Sequence, residues 1–137
     1  MTTNDGYSLR LTDQLERVRT TWPGGPWEWD GRFDCAVSTV GKAQEASARE
    51  ALAAVLPSVW TAARLAEAPA AIQELCARVG GLRGQQLVFS AELGEGALAY
   101  CLWWPWGSGA NFSARVGAAS GGEDDLSLLV RSALAVK

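Results

Sequence analysis

Histidine is absent from this chain, and its absence removes the side chain that most often serves as a general base. Ser-His-Asp and Cys-His catalysis cannot be built in their usual form without it. A zinc site would have to combine distant cysteines with carboxylates, since the sequence contains no CxxC or HExxH pair. We therefore predict a protein that is not an enzyme and that has no catalytic residues, no metal and no other cofactor.

Cysteines are few, and the three present, Cys35, Cys76 and Cys101, lie far apart in the sequence. An odd number at such spacing gives no disulfide framework and is typical of reduced thiols. Each falls on an expected apolar face or among small residues, so we predict buried structural thiols. The polar first ten residues, MTTNDGYSLR, lack the apolar run of a signal peptide. These observations together predict a cytoplasmic protein.

Positive charge is also scarce, because 12 Lys and Arg stand against 15 Asp and Glu, for a net charge of -3. Binding to phosphates needs a concentrated basic face, whereas these residues are scattered along the sequence. Most of them are arginines, a bias typical of a GC-rich bacterial genome. The most apolar stretch, residues 87–106, contains Glu92, Gly94 and Pro105, which a membrane-spanning helix tolerates poorly. We expect neither nucleic acid nor a membrane as a partner.

Two short motifs resemble binding sites but are better explained by local structure. The segment GEGALA, residues 94–99, fits the loose GxGxxA pattern of dinucleotide sites, but such a site needs a helix that meets the pyrophosphate. This segment alternates like a strand, so we interpret it as a hairpin turn. The acidic run EDD, residues 123–125, offers oxygen ligands for a cation. It is more often a charge cluster at the N-terminus of a helix.

The length of 137 residues predicts one compact domain, residues 1–137. Helical periodicity marks a first helix near residue 12, a long helical segment over residues 42–79, and a last helix from about Glu123. The apolar stripe keeps its phase across Pro57, so the segment is a kinked helix or two abutting helices there. Pro69 begins a following helix, which Gly80 and Gly81 end. The expected apolar stripes of the first two helical segments contain Leu11, Leu15, Val18, Trp22, Leu52, Val55, Leu56, Val59, Trp60, Ile72, Leu75, Cys76 and Val79.

Period-two alternation predicts strands in two places. Three strands follow Arg83, at about residues 87–93, 98–104 and 110–116, and turns rich in glycine separate them into a meander. A hairpin precedes the long helical segment, where Asp30-Gly31 favours a two-residue turn that pairs Trp29 with Arg32. In that case Trp27 and Trp29 lie on the face opposite to Phe33. If the strand instead runs straight through Gly31, all odd-numbered residues share one face and the two tryptophans belong to the core.

The expected fold is therefore α+β, with an antiparallel sheet of four or five strands and helices packed on it, in the order α-β-β-α-β-β-β-α. This order resembles the roadblock and longin type of module, in which helices pack against a five-stranded antiparallel sheet. The resemblance covers the order of elements only. It implies a dimerising platform for partner proteins.

Seven tryptophans are the strongest functional signal of the sequence. We expect Trp60 and Trp104 in the core, because each continues an apolar face. Trp103 lies on the opposite strand face and Trp106 in a Pro-Gly turn, so we predict that both contact a partner, with Trp27 and Trp29 as neighbours. The leading hypothesis is a non-catalytic interaction domain that binds a protein partner or its own copy. The alternative is a small-molecule binding domain with an aromatic-lined pocket.

Overall fold

The computed structural model describes residues 4–94, 96–119 and 126–136. Four helices and six strands lie in this part of the chain, together with two 3-10 turns, Lys42–Gln44 and Ala62–Glu67. The helices and strands are α1 Asn4–Thr21, β1 Glu28–Asp30, β2 Cys35–Gly41, α2 Glu45–Val55, β3 Ser58–Trp60, α3 Ala70–Arg78, β4 Leu87–Gly94, β5 Ala97–Pro105, β6 Asn111–Ala119 and α4 Ser127–Ala133.

The strands form a single antiparallel sheet in the order β1-β2-β6-β5-β4-β3. The predicted α+β class and the meander of β4, β5 and β6 are confirmed. The predicted count of four or five strands is wrong, because the sheet has six. The expected start of the last helix at Glu123 lies outside the described residues, and the described part of that helix begins at Ser127.

The additional strand is β3, which lies inside the segment predicted to be a kinked helix or two abutting helices. The backbone before Pro57 leaves the helical region at Leu56, with φ -119° and ψ 80°, because a residue that precedes proline avoids the helical conformation. The chain then pairs with β4, with Trp60 opposite Val88. Trp60 therefore belongs to a strand, not to a helical stripe, and its indole N–H donates to Ser90 Oγ at 3.0 Å.

The hairpin between β1 and β2 also differs from the expected two-residue turn. Asp30 pairs with Cys35, so the loop contains the four residues 31–34. Asp30 Oδ1 accepts a hydrogen bond from the backbone N–H of Arg32 at 2.9 Å, and Asp34 adopts a positive φ of 50°. The short side chain of Asp30 thus stabilises a turn that is longer than the predicted two residues. Trp29 pairs with Ala36 and lies on the face opposite to Cys35 and Val37.

The larger core lies between one face of the sheet and the helices α1, α2 and α4. Three members of the predicted stripe of α1, Leu11, Leu15 and Val18, are fully buried. Trp22 follows the end of the helix at Thr21, and the helix begins at Asn4, before the predicted start near residue 12. The sheet side of this core includes Trp103, Phe112, Cys101, Ala99, Ala36 and Val40. This face of the sheet is thus covered along most of its width.

Helix α3 covers part of the opposite face. Its predicted stripe is confirmed, because Ile72, Leu75 and Cys76 are buried against β4 and β5. The ring of Tyr100 lies over Gly117, where a Cβ atom would come within 2.7 Å of Tyr100 Cζ. Glycine at this position therefore lets a large ring lie across the neighbouring strand beneath α3.

Both edges of the sheet are short. The edge strands β1 and β3 have three residues each, and Pro26 and Pro57 lie within two residues of their first positions. Proline lacks a backbone donor, and short strands expose few unpaired groups. Among the described residues, no helix is long and apolar enough to cross a membrane.

Candidate functional site

One half of the α3 side of the sheet remains open. The strand register places Val37 opposite Arg115 and Thr39 opposite Ser113, while Trp104 pairs with Ser113 from the other side. The residues buried with α3 come mainly from β4 and β5, and no helix in the described part of the chain covers β1, β2 and most of β6 here. We call this surface the open face. Its members are Phe33, Val37, Thr39, Trp104, Trp106, Ser113 and Arg115.

Arg115 is the centre of the open face. Its Nη1 lies 2.6 Å from Asp30 Oδ2, and the side chains of Arg115 and Asp30 are only 14% and 21% exposed. The guanidinium carbon is 5.0 Å from the ring centroid of Trp104 and 5.6 Å from that of Phe33. A guanidinium at these distances from aromatic faces is attracted by the ring quadrupoles. Arg115 thus contacts both Phe33 in the loop after β1 and Trp104 on β5.

The carboxylate of Asp30 is held in its charged form. Burial alone raises the pKa of Asp30, but the hydrogen bonds from Arg115 and from the Arg32 backbone, with the charges of both guanidinium groups, outweigh it. The resulting pKa lies below the ordinary value of 3.8. The carboxylate of Asp30 is therefore charged at neutral pH, and together with the guanidinium of Arg115 it contributes no net charge to the open face.

Two donors at the site remain without a partner. Arg115 Nε and Trp104 Nε1 are buried and form no hydrogen bond in the described structure. A buried donor without a partner costs free energy. On the far side of Trp104, a shallow groove of about 240 Å³ is lined by Val79, Gly80, Gly81, Arg83, Gln86 and Trp104 itself. Trp104 therefore separates Arg115 from a groove with a second arginine at its margin.

The exposed indole of Trp106 borders the open face. It is 46% exposed, yet it is well held, because its Nε1 donates to Ser113 Oγ at 2.9 Å. The backbone N–H of Trp106 donates to Asn111 O at 2.9 Å, and Gly109 N–H donates to Trp106 O at 2.9 Å. The turn after Pro105 thus presents a fixed aromatic surface beside Ser113, two positions before Arg115 on β6.

The four tryptophans predicted to bind a partner do not lie together. Trp103 is 1% exposed and stacks on Phe112, with centroids 5.0 Å apart. Trp27 is 5% exposed and lies 4.8 Å from Trp22. Trp29 is half-buried on the opposite side of the sheet from the open face. A partner that binds this fold reaches Trp106 or Trp29, whereas the core encloses Trp103 and Trp27.

Trp29 is further covered by the last helix. The guanidinium carbon of Arg131, on α4, lies 4.2 Å from the Trp29 ring centroid. The ring also contacts the larger core. Its accessible part is therefore small, and Trp106 is the predicted residue most available to a partner.

Trp104 and Arg115 were not predicted as site residues. Trp104 continues the face of Tyr100 and Leu102 and was expected in the core, but it is only half-buried because α3 ends at Arg78. A signal for Arg115 was present, since it is the charged residue between the apolar Ala114 and Val116 of β6. An arginine there must lie on the face opposite to its neighbours.

The cysteines offer no reactive group. Burial raises the pKa of Cys35 to about 11 and raises the pKa of Cys76 and Cys101 as well. All three are buried free thiols, as the sequence predicted. In the described ranges, no group of three Cys, Asp or Glu side chains is placed to hold a metal ion.

We expect the native protein to resist thiol reagents at pH 8, where a thiol with a pKa near 11 is ionised in about one molecule per thousand. Reaction with an absorbing disulfide reagent measures this, and unfolding in guanidinium chloride should release three reactive thiols. Thr39→Cys, at an exposed position, is the control and should add one fast-reacting thiol. Fast labelling of any native cysteine in the folded protein contradicts the expectation.

Comparison with known proteins identifies no relative: no family model, no curated protein and no solved structure matches the chain. The function is therefore inferred from the geometry of the chain itself.

Proposed function

We propose that this chain is a non-catalytic, cytoplasmic protein–protein interaction domain, which binds a partner protein or its own copy through the open face. The observation that carries the proposal is a sheet surface without a described helix over it, on which Trp104, Trp106, Phe33 and Arg115 are grouped. Tryptophan and arginine are the residues most enriched in interface hot spots. An adaptor, chaperone or immunity-type role would fit such a domain.

The rigidity of the open face supports this function. Arg115 is held by Asp30 and by two rings, and Trp106 by Ser113. Side chains that are already ordered lose less conformational entropy on binding. This order favours a surface that is prepared to bind another molecule.

We expect Trp106→Ala to weaken partner binding or self-association by about 1–3 kcal/mol, because an exposed indole at an interface contributes far more to binding than to folding. The measurement is capture of host proteins, together with the mass of the intact assembly. Leu128→Ala is the matched control, since Leu128 is a large exposed side chain on α4, 75% exposed and on the other side of the sheet. Equal effects of the two substitutions, or no effect of Trp106→Ala, contradict the proposal.

A small-molecule binding domain is the second candidate. A cleft of about 400 Å³ opens near β3, and its lining includes Trp60, Gln14, Ser90 and Leu98. Gln14 Oε1 is buried without a hydrogen-bond partner, and the volume falls within the range of ligand pockets. Trp60→Ala would remove ligand binding in this cleft, whereas Trp106→Ala would leave it unchanged. The open face remains the stronger candidate, because it gathers more aromatic and cationic groups.

A further inference from the structure

The cleft of about 400 Å³ near β3 lies at the edge of the sheet. Pairing between β3 and β4 runs only from Trp60, opposite Val88, to Ser58, opposite Ser90, whereas β4 continues to Gly94. Beyond this end of β3 the cleft is lined by α1 and the end of α2 from one side of the sheet and by the start of α3 from the other. We call it the edge cleft. Several segments thus meet at one concave surface, as is usual for ligand sites.

An aromatic ring and a carboxylate follow one another along this edge. Ser90 and Glu92 are alternate residues of β4 and share a face of the sheet, and Trp60 shares it through its pairing with Val88. The indole reaches to Ser90, because Trp60 Nε1 donates to Ser90 Oγ at 3.0 Å. Glu92 lies two residues further along the strand, about 7 Å from Ser90. One small molecule can therefore contact both the ring and the carboxylate.

The charge of the edge cleft is negative. Among its described lining residues, Glu92 is the only charged one, and it forms no ion pair with another described residue. Two arginines lie nearby but are engaged elsewhere, since Arg10 Nη1 donates to Leu93 O at 2.6 Å and Arg64 Nη1 donates to Val59 O at 3.3 Å. Both arginines are exposed, so solvent and salt screen their charges. A ligand that reaches Glu92 therefore gains most if it is a cation.

Gln14 supplies a second acceptor. Its Oε1 is buried in the wall of the edge cleft and accepts no hydrogen bond from a described residue, which costs free energy. The side chain as a whole is only half-buried, and the last torsion of a glutamine is soft. A small rotation of the amide brings the oxygen to the surface of the cleft, where a donor can reach it. Gln14 thus favours a ligand that donates hydrogen bonds.

Much of the remaining wall is apolar. Val55, Pro57, Pro69 and Leu98 contribute aliphatic surface beside the indole of Trp60. Such a surface favours an apolar body, which leaves water when it binds. A carboxylate or phosphate would find no cation among the described lining residues. The edge cleft therefore matches a molecule with an apolar body and one positively charged donor.

We propose that the edge cleft binds a small primary amine with an aromatic or aliphatic body, whose ammonium group lies between Glu92 and Gln14 and whose body packs against Trp60 and Leu98. The proposal rests on the small-molecule function given above as the second candidate and names its ligand class. It does not depend on the open face, because β3 and β1 lie at opposite edges of the sheet. A ligand of this size binds with a dissociation constant on the order of 1 mM.

Phenethylammonium is the probe, and the indole N–H of Trp60 is the reporter. Its signal in a proton–nitrogen correlation spectrum is identified by its loss in Trp60→Phe. We expect phenethylammonium to shift this signal in a saturable manner. Phenethyl alcohol and phenylpropionate carry a neutral and an anionic group in place of the ammonium, and each should bind at least about fivefold more weakly, because hydrogen bonds to a charged donor are stronger.

Two variants test the acceptors. E92Q should weaken the binding of phenethylammonium about two- to fivefold, the range for an ion pair with an exposed carboxylate, and Q14L should weaken it as well. The matched control is E28Q, which makes the same substitution at an exposed strand position on the opposite edge of the sheet. It should bind the amine like the unchanged protein.

The outcomes separate the ligand class from the small-molecule function. Equal affinities of E92Q and E28Q for phenethylammonium overturn the proposal, because the carboxylate then has no part in binding. If the alcohol or the carboxylate binds as tightly as the amine, the ligand class is wrong and the small-molecule function stands. If none of the three probes shifts the Trp60 signal at 10 mM, roughly ten times the expected dissociation constant, both are wrong.

Discussion

Trp103→Ala is expected to destabilise the domain by about 3–5 kcal/mol, the range for removing a large buried aromatic side chain. Trp103 is 1% exposed and stacks on Phe112, so truncation leaves a cavity between the sheet and the helices that cover it. A domain of this size has a total stability of about 5–15 kcal/mol, so much of it would be lost. Chemical unfolding monitored by circular dichroism measures the change.

The comparison with Trp106→Ala makes this result informative. Trp106 is 46% exposed, and its truncation should lower the free energy of unfolding by less than about 1 kcal/mol. The two tryptophans are three residues apart and were both predicted to contact a partner. If Trp106→Ala destabilises the fold as much as Trp103→Ala does, Trp106 is a packing residue and the interaction function loses its main support.

Arg115→Ala is expected to destabilise the domain by about 2–3 kcal/mol, because it leaves the carboxylate of Asp30 without its partner and removes a largely buried side chain whose guanidinium lies over two rings. The pair is partly exposed, which places the effect below that of a fully buried pair. Arg115→Met keeps most of the apolar stem and should recover part of the loss. Asp30→Asn tests the other partner and completes a double-mutant cycle with Arg115→Met.

The same pair predicts a dependence on pH. Because the pKa of Asp30 is lower in the folded protein than its ordinary value of 3.8, its stabilising contribution is fully present above that value. It is lost as the pH falls through the lower, native pKa. The difference in stability between the unchanged protein and Asp30→Asn should therefore be constant near neutral pH and shrink below about pH 4. A difference that does not change down to pH 2 contradicts this assignment.

The elements with clear periodicity could be predicted from the sequence. The stripe of Ile72, Leu75 and Cys76 places α3, and the alternation after Arg83 places the three long strands. Edge strands were harder to predict, because three residues are too few to show a period. Residues Ser58 to Trp60 of β3 continue the helical spacing of the apolar residues in α2, so the sequence pattern does not separate a strand from a helix here. Only the pairing with β4 does so.

The candidate site could be predicted only in part. Trp106 was identified because Pro105 ends the strand and glycines leave its turn open, which are local features. Arg83 and Arg115 were judged to be scattered basic residues, since they are 32 positions apart in the sequence. Sheet pairing and the end of α3 bring both beside Trp104. The hydrophobic period of a sequence does not report which face of a sheet a helix covers or where the helix ends. Both depend on tertiary packing.

The short edge strands limit how this chain can assemble. With three residues in each of β1 and β3 and a proline close to both, neither edge offers a ladder on which further strands could add indefinitely. We therefore expect no fibrils at high concentration, because the edges do not template the addition of further strands. The aromatic surface can then stay exposed without becoming a seed for polymerisation.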